Sequence, residues 1–284
     1  MADIWIISDG KPGHLNQSLG LAEALVRLRP ELKFDVRSIN DGISLLKTDT
    51  SPKLILSAGR RTHWWSWLCK LRFKAKNVVM MRPSLPLACF DLVLVPEHDQ
   101  MKGGSDRVEA TSGALNRMVP GDKLAGSALV LVGGPSKHVR WKDQEVINQL
   151  QQIRSANPEF GLRVATSRRT PNEFLELLKG LPNTEIVQPE SVGGDWLPST
   201  LAETERVWVT SDSVSMVYEA LTAGCAVSLI GLESVANSRT QRGMQMLVDA
   251  GLVDYRTDFE STRSGKRLAE ATRCAEIILE KGWL

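Results

Sequence analysis

The 284-residue chain is poor in cysteine, histidine and tyrosine, with four, four and two of each. The four cysteines stand far apart and form no CxxC pair, so we expect reduced thiols in apolar surroundings: Cys69, Cys89, Cys225 and Cys274. No apolar run approaches the roughly 20 residues needed to cross a bilayer. The chain enters a strand at Ile4 without the basic and apolar regions of a signal peptide. Together these absences predict a cytoplasmic protein.

Several signatures of nucleotide enzymes are also missing. There is no GxxxxGK[ST] sequence, which argues against a P-loop kinase, and no GxGxxG follows the first strand. Neither Tyr218 nor Tyr255 has a lysine four residues later, so the catalytic pair of a short-chain-dehydrogenase type of sugar epimerase is absent. No Asp-x-Asp sequence offers the usual manganese clamp for a nucleotide-sugar. We therefore expect no cofactor and no metal, and a diphosphate site built from cations and backbone N–H groups.

The charge is balanced, with 35 Lys and Arg against 33 Asp and Glu, which does not indicate a nucleic-acid partner. Short apolar runs alternate with helical patterns, and this alternation restarts at 129–132. We predict an α/β fold with two Rossmann-like, doubly wound domains facing a cleft. The expected domains are 1–122 and 127–265, joined by a linker at 121–126, with a terminal helix at 266–284 packing back on the first.

The stretch 207–231 predicts a strand, a polar loop, a helix and a second strand. Ser211 and Ser213 belong to a run of N-cap-type residues where the helix begins. A helix N-terminus offers free N–H groups and a positive dipole end to an anion. Asp212 and Glu219 lie on a narrow polar stripe, and Glu219 could accept both hydroxyls of a ribose. The alternative is a capped amphipathic helix whose polar stripe faces solvent.

Two further loops carry candidate phosphate ligands. Arg168 and Arg169 follow a predicted strand, and arginine suits bidentate contacts to phosphate. The alternative is a solvated turn. An earlier loop combines glycines that permit close backbone approach with a hydroxyl and a cation: Gly133, Gly134, Ser136 and Lys137. Its alternative is a turn required by glycine geometry alone.

Three residues at predicted strand ends are candidates for a catalytic base. His14 closes a dense polar loop after the first strand, and its titration range suits the deprotonation of a hydroxyl. Glu97 and Asp99 follow a later strand and offer similar chemistry. The sequence does not choose among the three.

Residues 60–76 contain six Lys or Arg, no acid and three tryptophans. A basic helix with tryptophans can lie in the headgroup region of an anionic membrane, which would place the protein at the inner membrane face. The alternative is a helix that packs on the sheet while its cations reach solvent.

Six sequence motifs resemble those of the Elm-type family, and the resemblance covers nearly the whole chain. They lie at 8–17, 59–61, 96–99, 133–138, 166–171 and 210–216. The family includes plant mitochondrial-fission proteins and bacterial relatives, some linked to lipopolysaccharide glycosylation and often labelled sugar epimerases. The two-unit layout is similar to GT-B glycosyltransferases, in which a glutamate at the position matching Glu219 holds the donor ribose.

The resemblance and the loops together predict a metal-independent glycosyltransferase. The expected partners are a nucleotide-diphosphate sugar as donor and a membrane-proximal glycan or lipid-linked acceptor, with no nucleic acid. Two alternatives remain open. One is a non-enzymatic membrane adaptor on the same fold, and the other is a nucleotide-sugar epimerase.

Overall fold

The structure, a computed structural model, describes residues 2–97, 105–158, 162–235, 239–258 and 268–284. The chain divides into two compact units. The first unit consists of Met1–Arg117 and Ala269–Leu284, and the second of Met118–Leu268.

The first unit contains six strands and three α-helices among its described residues. Its strands are β1 (Ile4–Ser8), β2 (Phe34–Ser38), β3 (Leu54–Ala58), β4 (Lys76–Met80), β5 (Leu92–Pro96) and β6 (Val108–Thr111). Its helices are α1 (Pro12–Leu28), α2 (His63–Phe73) and α8 (Glu270–Glu280), with 3-10 turns at Ile39–Leu46 and Leu87–Cys89.

The first sheet is parallel, in the order β2-β1-β3-β4-β5-β6. Strands β1, β3 and β5 are buried along their whole length, as expected for apolar runs covered on both faces. Helices α1 and α8 pack on one face, whereas α2 covers the other. The chain reverses direction across the sheet between β1 and β3, and in open α/β sheets ligands bind at such a switch point.

The second unit contains eight strands and five α-helices among its described residues. Its strands are β7 (Leu124–Leu131), β8 (Val139–Arg140), β9 (Leu162–Ala165), β10 (Thr184–Val187), β11 (Thr204–Thr210), β12 (Ala226–Ile230), β13 (Glu233–Ser234) and β14 (Val253–Asp254). Its helices are α3 (Asp143–Ala156), α4 (Asn172–Lys179), α5 (Trp196–Glu203), α6 (Val214–Thr222) and α7 (Arg239–Asp249), with a 3-10 turn at Pro189–Ser191.

The second sheet is also parallel, in the order β10-β9-β7-β11-β12-β14. Counting its strands along the chain, this order is 3-2-1-4-5-6, the arrangement of dinucleotide-binding folds. Helices α3 and α4 cover one face, and α5, α6 and α7 the other. The switch point lies between β7 and β11. A short antiparallel pair, β8 with β13, lies outside the sheet.

The predicted fold class, with two Rossmann-like sheets, is confirmed. One boundary near the site differs from the prediction: α1 begins at Pro12 instead of about Asn16, so that His14 belongs to its first turn. Proline is favoured at that position because its missing N–H is unpaired there anyway. All four cysteines are free, and all but the half-buried Cys89 are buried. Among the described helices, none combines the length and apolar character that a membrane crossing requires.

Candidate functional site

Three loops meet at the carboxyl edge of the second sheet, where adjacent strands β9, β7 and β11 end. The N–H of Gly133 donates to the Thr210 hydroxyl at 2.8 Å, and the N–H of Gly134 donates to Asp212 Oδ2 at 3.1 Å. The Thr170 hydroxyl donates to the Gly133 carbonyl at 2.6 Å. These contacts tie the turn after β7 to the loops on both sides.

Asp212 is the centre of this framework. Its side chain is completely buried, and Arg169 Nη2 donates to its Oδ2 at 2.7 Å. Arg169 also donates to the Gly134 carbonyl at 3.1 Å. The expectation that Asp212 belongs to the polar stripe of the helix is therefore wrong, because α6 begins only at Val214 and Asp212 lies in the loop before it.

The two glycines are required by this packing. A Cβ on Gly133 would overlap the Asp212 carboxylate, and a Cβ on Gly134 would overlap the Arg169 carbonyl. Since both glycine N–H groups are bound within the framework, they are not free to hold a phosphate in this arrangement. The turn therefore fixes the positions of its neighbours.

Gly133→Ala is expected to lower the free energy of unfolding by about 1–3 kcal/mol, because the added methyl displaces a buried, hydrogen-bonded carboxylate. Urea unfolding of the full chain measures this change. Gly194→Ala is the matched control, since a Cβ at Gly194 meets nothing within 4 Å. Equal effects of the two substitutions would contradict the close packing between Gly133 and Asp212.

Several predicted ligands beside this framework remain free among the described residues. Arg168 and Lys137 are exposed, and neither side chain forms a hydrogen bond or ion pair with a described residue. Ser213 is the N-cap residue of α6, but its hydroxyl does not cap the helix. Within the described parts of the chain, no side chain accepts a hydrogen bond from the first N–H groups of α6. Free hydroxyl, N–H and cationic groups at a switch point suit an anion such as diphosphate.

The other two predicted hydroxyls serve local structure. Ser211 is buried, and its Oγ accepts the Leu232 N–H at 3.0 Å. Ser136 Oγ accepts the His138 N–H at 3.2 Å within its own turn. Both hydroxyls are thus already engaged as acceptors by the backbone.

Glu219 lies on α6, less than two turns from the helix N-terminus. Desolvation by the surrounding protein raises the pKa of its carboxyl to about 7. The side chain is half-buried and forms no hydrogen bond or ion pair with any described residue. A carboxylate in this setting has both oxygens available to accept hydrogen bonds from a ligand.

The switch point of the first unit carries a second polar cluster. His14 Nδ1 lies 3.1 Å from both carboxylate oxygens of Asp9, whose side chain is completely buried. The imidazole packs against Gly59 at the end of β3, where a Cβ would overlap the ring. Gly59 has a φ of +91°, a conformation that side chains with a Cβ rarely adopt. Glycine is therefore needed here for both reasons.

The pair of Asp9 and His14 has the geometry of an oriented base. Burial raises the pKa of Asp9, but hydrogen bonds from His14 and from the Lys11 N–H outweigh this, so that the pKa lies below its ordinary value. An ionised Asp9 favours a proton on Nδ1, which leaves Nε2 as the basic nitrogen. The His14 side chain is 21% exposed, so part of the imidazole faces solvent.

The other two base candidates are less well defined. Glu97 is exposed just after β5, and it makes no hydrogen bond or ion pair with the rest of the described chain. Asp99 lies outside the described residues. The described side chains include no group of three or more His, Cys, Asp and Glu placed to hold a metal ion.

Sequence reasoning missed two structural roles at these edges. Asp9 belongs to the polar loop that His14 closes, but its pairing with His14 was not predicted, although an acid just after a strand and a histidine in the next helical turn indicate such a pair. The burial of Asp212 had no signal of its own, because it depends on the glycine turn after β7, where Gly134 lies 78 residues earlier in the chain.

Comparisons of sequence and structure show which known proteins the chain is similar to. A family model described as Mitochondrial fission ELM1 matches residues 12–281. An uncharacterized protein of Rickettsia prowazekii (strain Madrid E) is 24% identical over 345 residues, covering 97% of this chain and 97% of the relative. The UDP-GlcNAc 2-epimerase from Neisseria meningitidis bound to UDP-GlcNAc is 10% identical, with a TM-score of 0.51 over 100% of this chain and 93% of that one.

The E. coli ADP-heptose lipopolysaccharide heptosyltransferase II is 11% identical, with a TM-score of 0.50 over 81% of this chain and 84% of that one. At these identities the two structures show a shared GT-B fold, not a shared reaction. The family match, in contrast, spans most of the sequence. The chain therefore belongs to the Mitochondrial fission ELM1 family.

Proposed function

We propose that this protein transfers a sugar from a nucleotide-diphosphate donor to a glycan or lipid-linked acceptor of the cell envelope. The observation that carries the proposal is the carboxyl edge of the second sheet. There the N-terminus of α6, Arg168 and the Glu219 carboxyl, none of them bound by a side chain of the described residues, flank a Rossmann-type switch point. The similarity to an epimerase bound to UDP-GlcNAc supports a nucleotide-sugar as ligand.

In the proposed complex the diphosphate accepts hydrogen bonds from the first N–H groups of α6 and from the Ser213 hydroxyl. Arg168 and Lys137 supply positive charge. The positive end of the α6 dipole also stabilises the diphosphate as it leaves, which lowers the barrier to sugar transfer. Glu219, farther along the same helix, accepts the two ribose hydroxyls. The proposed site holds the diphosphate without a metal ion.

His14 is the proposed general base. With Asp9 holding Nδ1, its Nε2 removes the proton from the acceptor hydroxyl as the new glycosidic bond forms. The oxygen attacks the anomeric carbon, and the electron pair of the broken bond leaves with the diphosphate. Glu97 and Asp99 remain the alternative bases.

Product analysis tests this proposal against both alternatives. The full chain is incubated with UDP-GlcNAc, with and without a mixture of cell-envelope glycolipids, and the products are identified by mass spectrometry and NMR. Transfer gives UDP and a glycosylated lipid only when the acceptor is present. A 2-epimer formed without acceptor would instead show an epimerase. The missing Tyr and Lys pair excludes only the short-chain-dehydrogenase type of epimerase, whereas the Neisseria enzyme shares the present fold.

The third outcome concerns the adaptor alternative. An adaptor would bind none of the UDP, GDP, ADP and CMP species, and it would convert none of their sugars. Thermal shift measurements across these nucleotides settle the point, because a ligand that binds only the native state raises the melting temperature.

Arg168→Gln and Arg169→Gln form a matched pair of neighbouring substitutions with opposite expected effects. Arg168→Gln should weaken UDP binding about tenfold while leaving stability unchanged, because the exposed Arg168 side chain forms no hydrogen bond or ion pair with a described residue. Arg169→Gln should lower the free energy of unfolding by about 1–3 kcal/mol, because buried Asp212 loses its cation. Calorimetry and urea unfolding measure the two quantities. Reversed effects would mean that Arg169 is the ligand.

Peripheral membrane contact through 60–76 is the remaining part of the proposal. Trp64 is 54% exposed and Leu71 is 57% exposed, which leaves apolar area on α2 for a headgroup region. The helix offers less positive charge to a membrane than its sequence suggests, because Lys70 forms an ion pair with Asp91 at 2.9 Å.

A further inference from the structure

Four cations follow three adjacent strands at the carboxyl edge of the first sheet. They are Lys11 after β1, Arg60 and Arg61 after β3, and Arg82 after β4, and all four are exposed. We call them the cation patch. Among the described residues, none of the three arginines has a hydrogen-bond or ion-pair partner.

The loops that carry the patch are fixed to one another. The His14 ring packs on Gly59, which joins the loop after β1 to the turn after β3. The His63 ring nitrogen Nδ1 accepts the Ser84 N–H at 3.1 Å, which joins that turn to the loop after β4. The buried Thr62 hydroxyl donates to the Gly59 carbonyl at 2.8 Å and tightens the turn. The residues between Gly59 and Thr62 are therefore held at the surface.

At the opposite edge of the same sheet, cations form ion pairs with acids. Lys53, just before β3, pairs with Asp3 at 3.1 Å, and Lys70 and Lys76 pair with Asp91 at 2.9 and 3.7 Å. At the carboxyl edge, none of the three arginines is paired with an acid of the described chain. Asp9, whose side chain is buried, accepts hydrogen bonds from His14 and from the Lys11 N–H, and Glu97 forms no ion pair with the patch.

We infer that the cation patch binds a phosphate ester, and that the acceptor is therefore a phosphorylated sugar or glycan. Arginine binds phosphate through two parallel N–H donors, and Arg60 and Arg61 are free to do so. A phosphate held beside Gly59 would bring a hydroxyl of the same sugar to His14, which packs on that glycine. This inference rests on the proposed function, because it names the substrate class that the acceptor side would select.

Calorimetry on the full chain tests the inference with two soluble probes, N-acetylglucosamine 6-phosphate and unmodified N-acetylglucosamine. At low ionic strength we expect binding of the phosphate ester and none of the neutral sugar. Arg60→Gln with Arg61→Gln should weaken that binding about tenfold or more. The matched control is Arg27→Gln with Lys33→Gln, which removes two exposed cations near the start of β2, at the opposite edge of the same sheet. It should change the affinity by less than about twofold.

A second experiment shows whether the bound phosphate belongs to a lipid or to a soluble glycan. Vesicles of phosphatidylcholine with and without phosphatidic acid are tested for co-sedimentation with the same variants. Loss of vesicle binding in the Arg60 and Arg61 variant, but not in the control, places the phosphate on a lipid. Binding of the soluble ester alone places it on a soluble glycan.

Three results of these binding measurements would overturn the inference. They are equal binding of the two sugars, equal loss in both double variants, and no measurable binding of the phosphate ester or the vesicles. Competition between UDP and the phosphate ester would also overturn it, because the patch would then belong to the donor site. Glu219→Gln separates this test from that of the donor site: it should weaken UDP binding but leave binding of the phosphate ester unchanged. If the ester binds through the arginines and no nucleotide binds at all, only the proposed donor is wrong.

Discussion

Glu219→Gln is expected to weaken UDP binding about tenfold or more, which is the loss typical of removing a charged hydrogen-bond acceptor. The glutamine keeps the size of the side chain but offers one acceptor oxygen where the carboxylate offers two. Uridine should lose affinity by the same factor, because the contact is to the ribose. Inorganic pyrophosphate, which lacks a ribose, should bind both proteins equally.

The pH dependence of UDP binding provides an independent readout. The raised pKa of about 7 means that Glu219 is mostly protonated below that pH, and only the ionised form accepts both ribose hydroxyls. The affinity of the wild-type protein relative to the glutamine variant should therefore rise about tenfold between about pH 6 and pH 8. The ratio is used because a terminal phosphate also titrates near pH 6.

The free energy of unfolding provides a control, because Glu219→Gln should raise it although the same substitution weakens UDP binding. A carboxyl whose pKa rises from 4.5 in the unfolded chain to about 7 in the native state stabilises the protein most below pH 4.5. That contribution is lost as the pH rises toward 7. Glu219→Gln should therefore raise the free energy of unfolding by about 2–3 kcal/mol at about pH 8, and by little near pH 4.5. A variant that loses stability at high pH would contradict the claim that desolvation raises the pKa of the Glu219 carboxyl.

His14→Ala is expected to lower kcat of sugar transfer by about 10²- to 10⁴-fold, the usual contribution of a general base. The Kd of UDP should not change, because the ligands proposed for UDP all belong to the second unit. Asp9→Asn should also lower kcat strongly, since an amide no longer favours the proton on Nδ1. Single-turnover kinetics together with calorimetry separate the chemical step from donor binding.

His138→Ala is the control for this pair. His138 also ends a loop after the first strand of its unit, but only its backbone takes part in the hydrogen bonds of that loop. It should leave kcat within about twofold. If His14→Ala retains full activity while Glu97→Gln or Asp99→Asn does not, the base has been assigned to the wrong residue.

The sequence predicted the fold well because buried parallel strands are read from apolar runs. The runs Leu162–Ala165 and Ala226–Ile230 predict strands, and they match β9 and β12, since the first run is followed by Thr166 and the second by Gly231. Strands β6 and β14 were missed. Strand β6 is a half-polar edge strand and β14 has only two residues, so neither carries an apolar run that periodicity can detect.

The sites were predictable only in part. The sequence placed candidate residues at strand ends correctly as a class, because the carboxyl edges of parallel sheets collect polar loops. The sequence could not show which of these residues are bound to one another and which can bind a ligand. Arg168 and Arg169 are adjacent and chemically identical, and only the buried position of Asp212 shows that one of them is already paired. Contacts between distant strands decide such assignments.

The central claim is that the second unit binds a nucleoside diphosphate at the N-terminus of α6. Its most direct test is calorimetric titration of UDP, GDP, ADP and CMP into the full chain, alongside Glu219→Gln. We expect one of the three diphosphates UDP, GDP and ADP to bind with one-to-one stoichiometry and to lose affinity in the variant. Absence of binding by all four, or binding that Glu219→Gln leaves untouched, would contradict the claim.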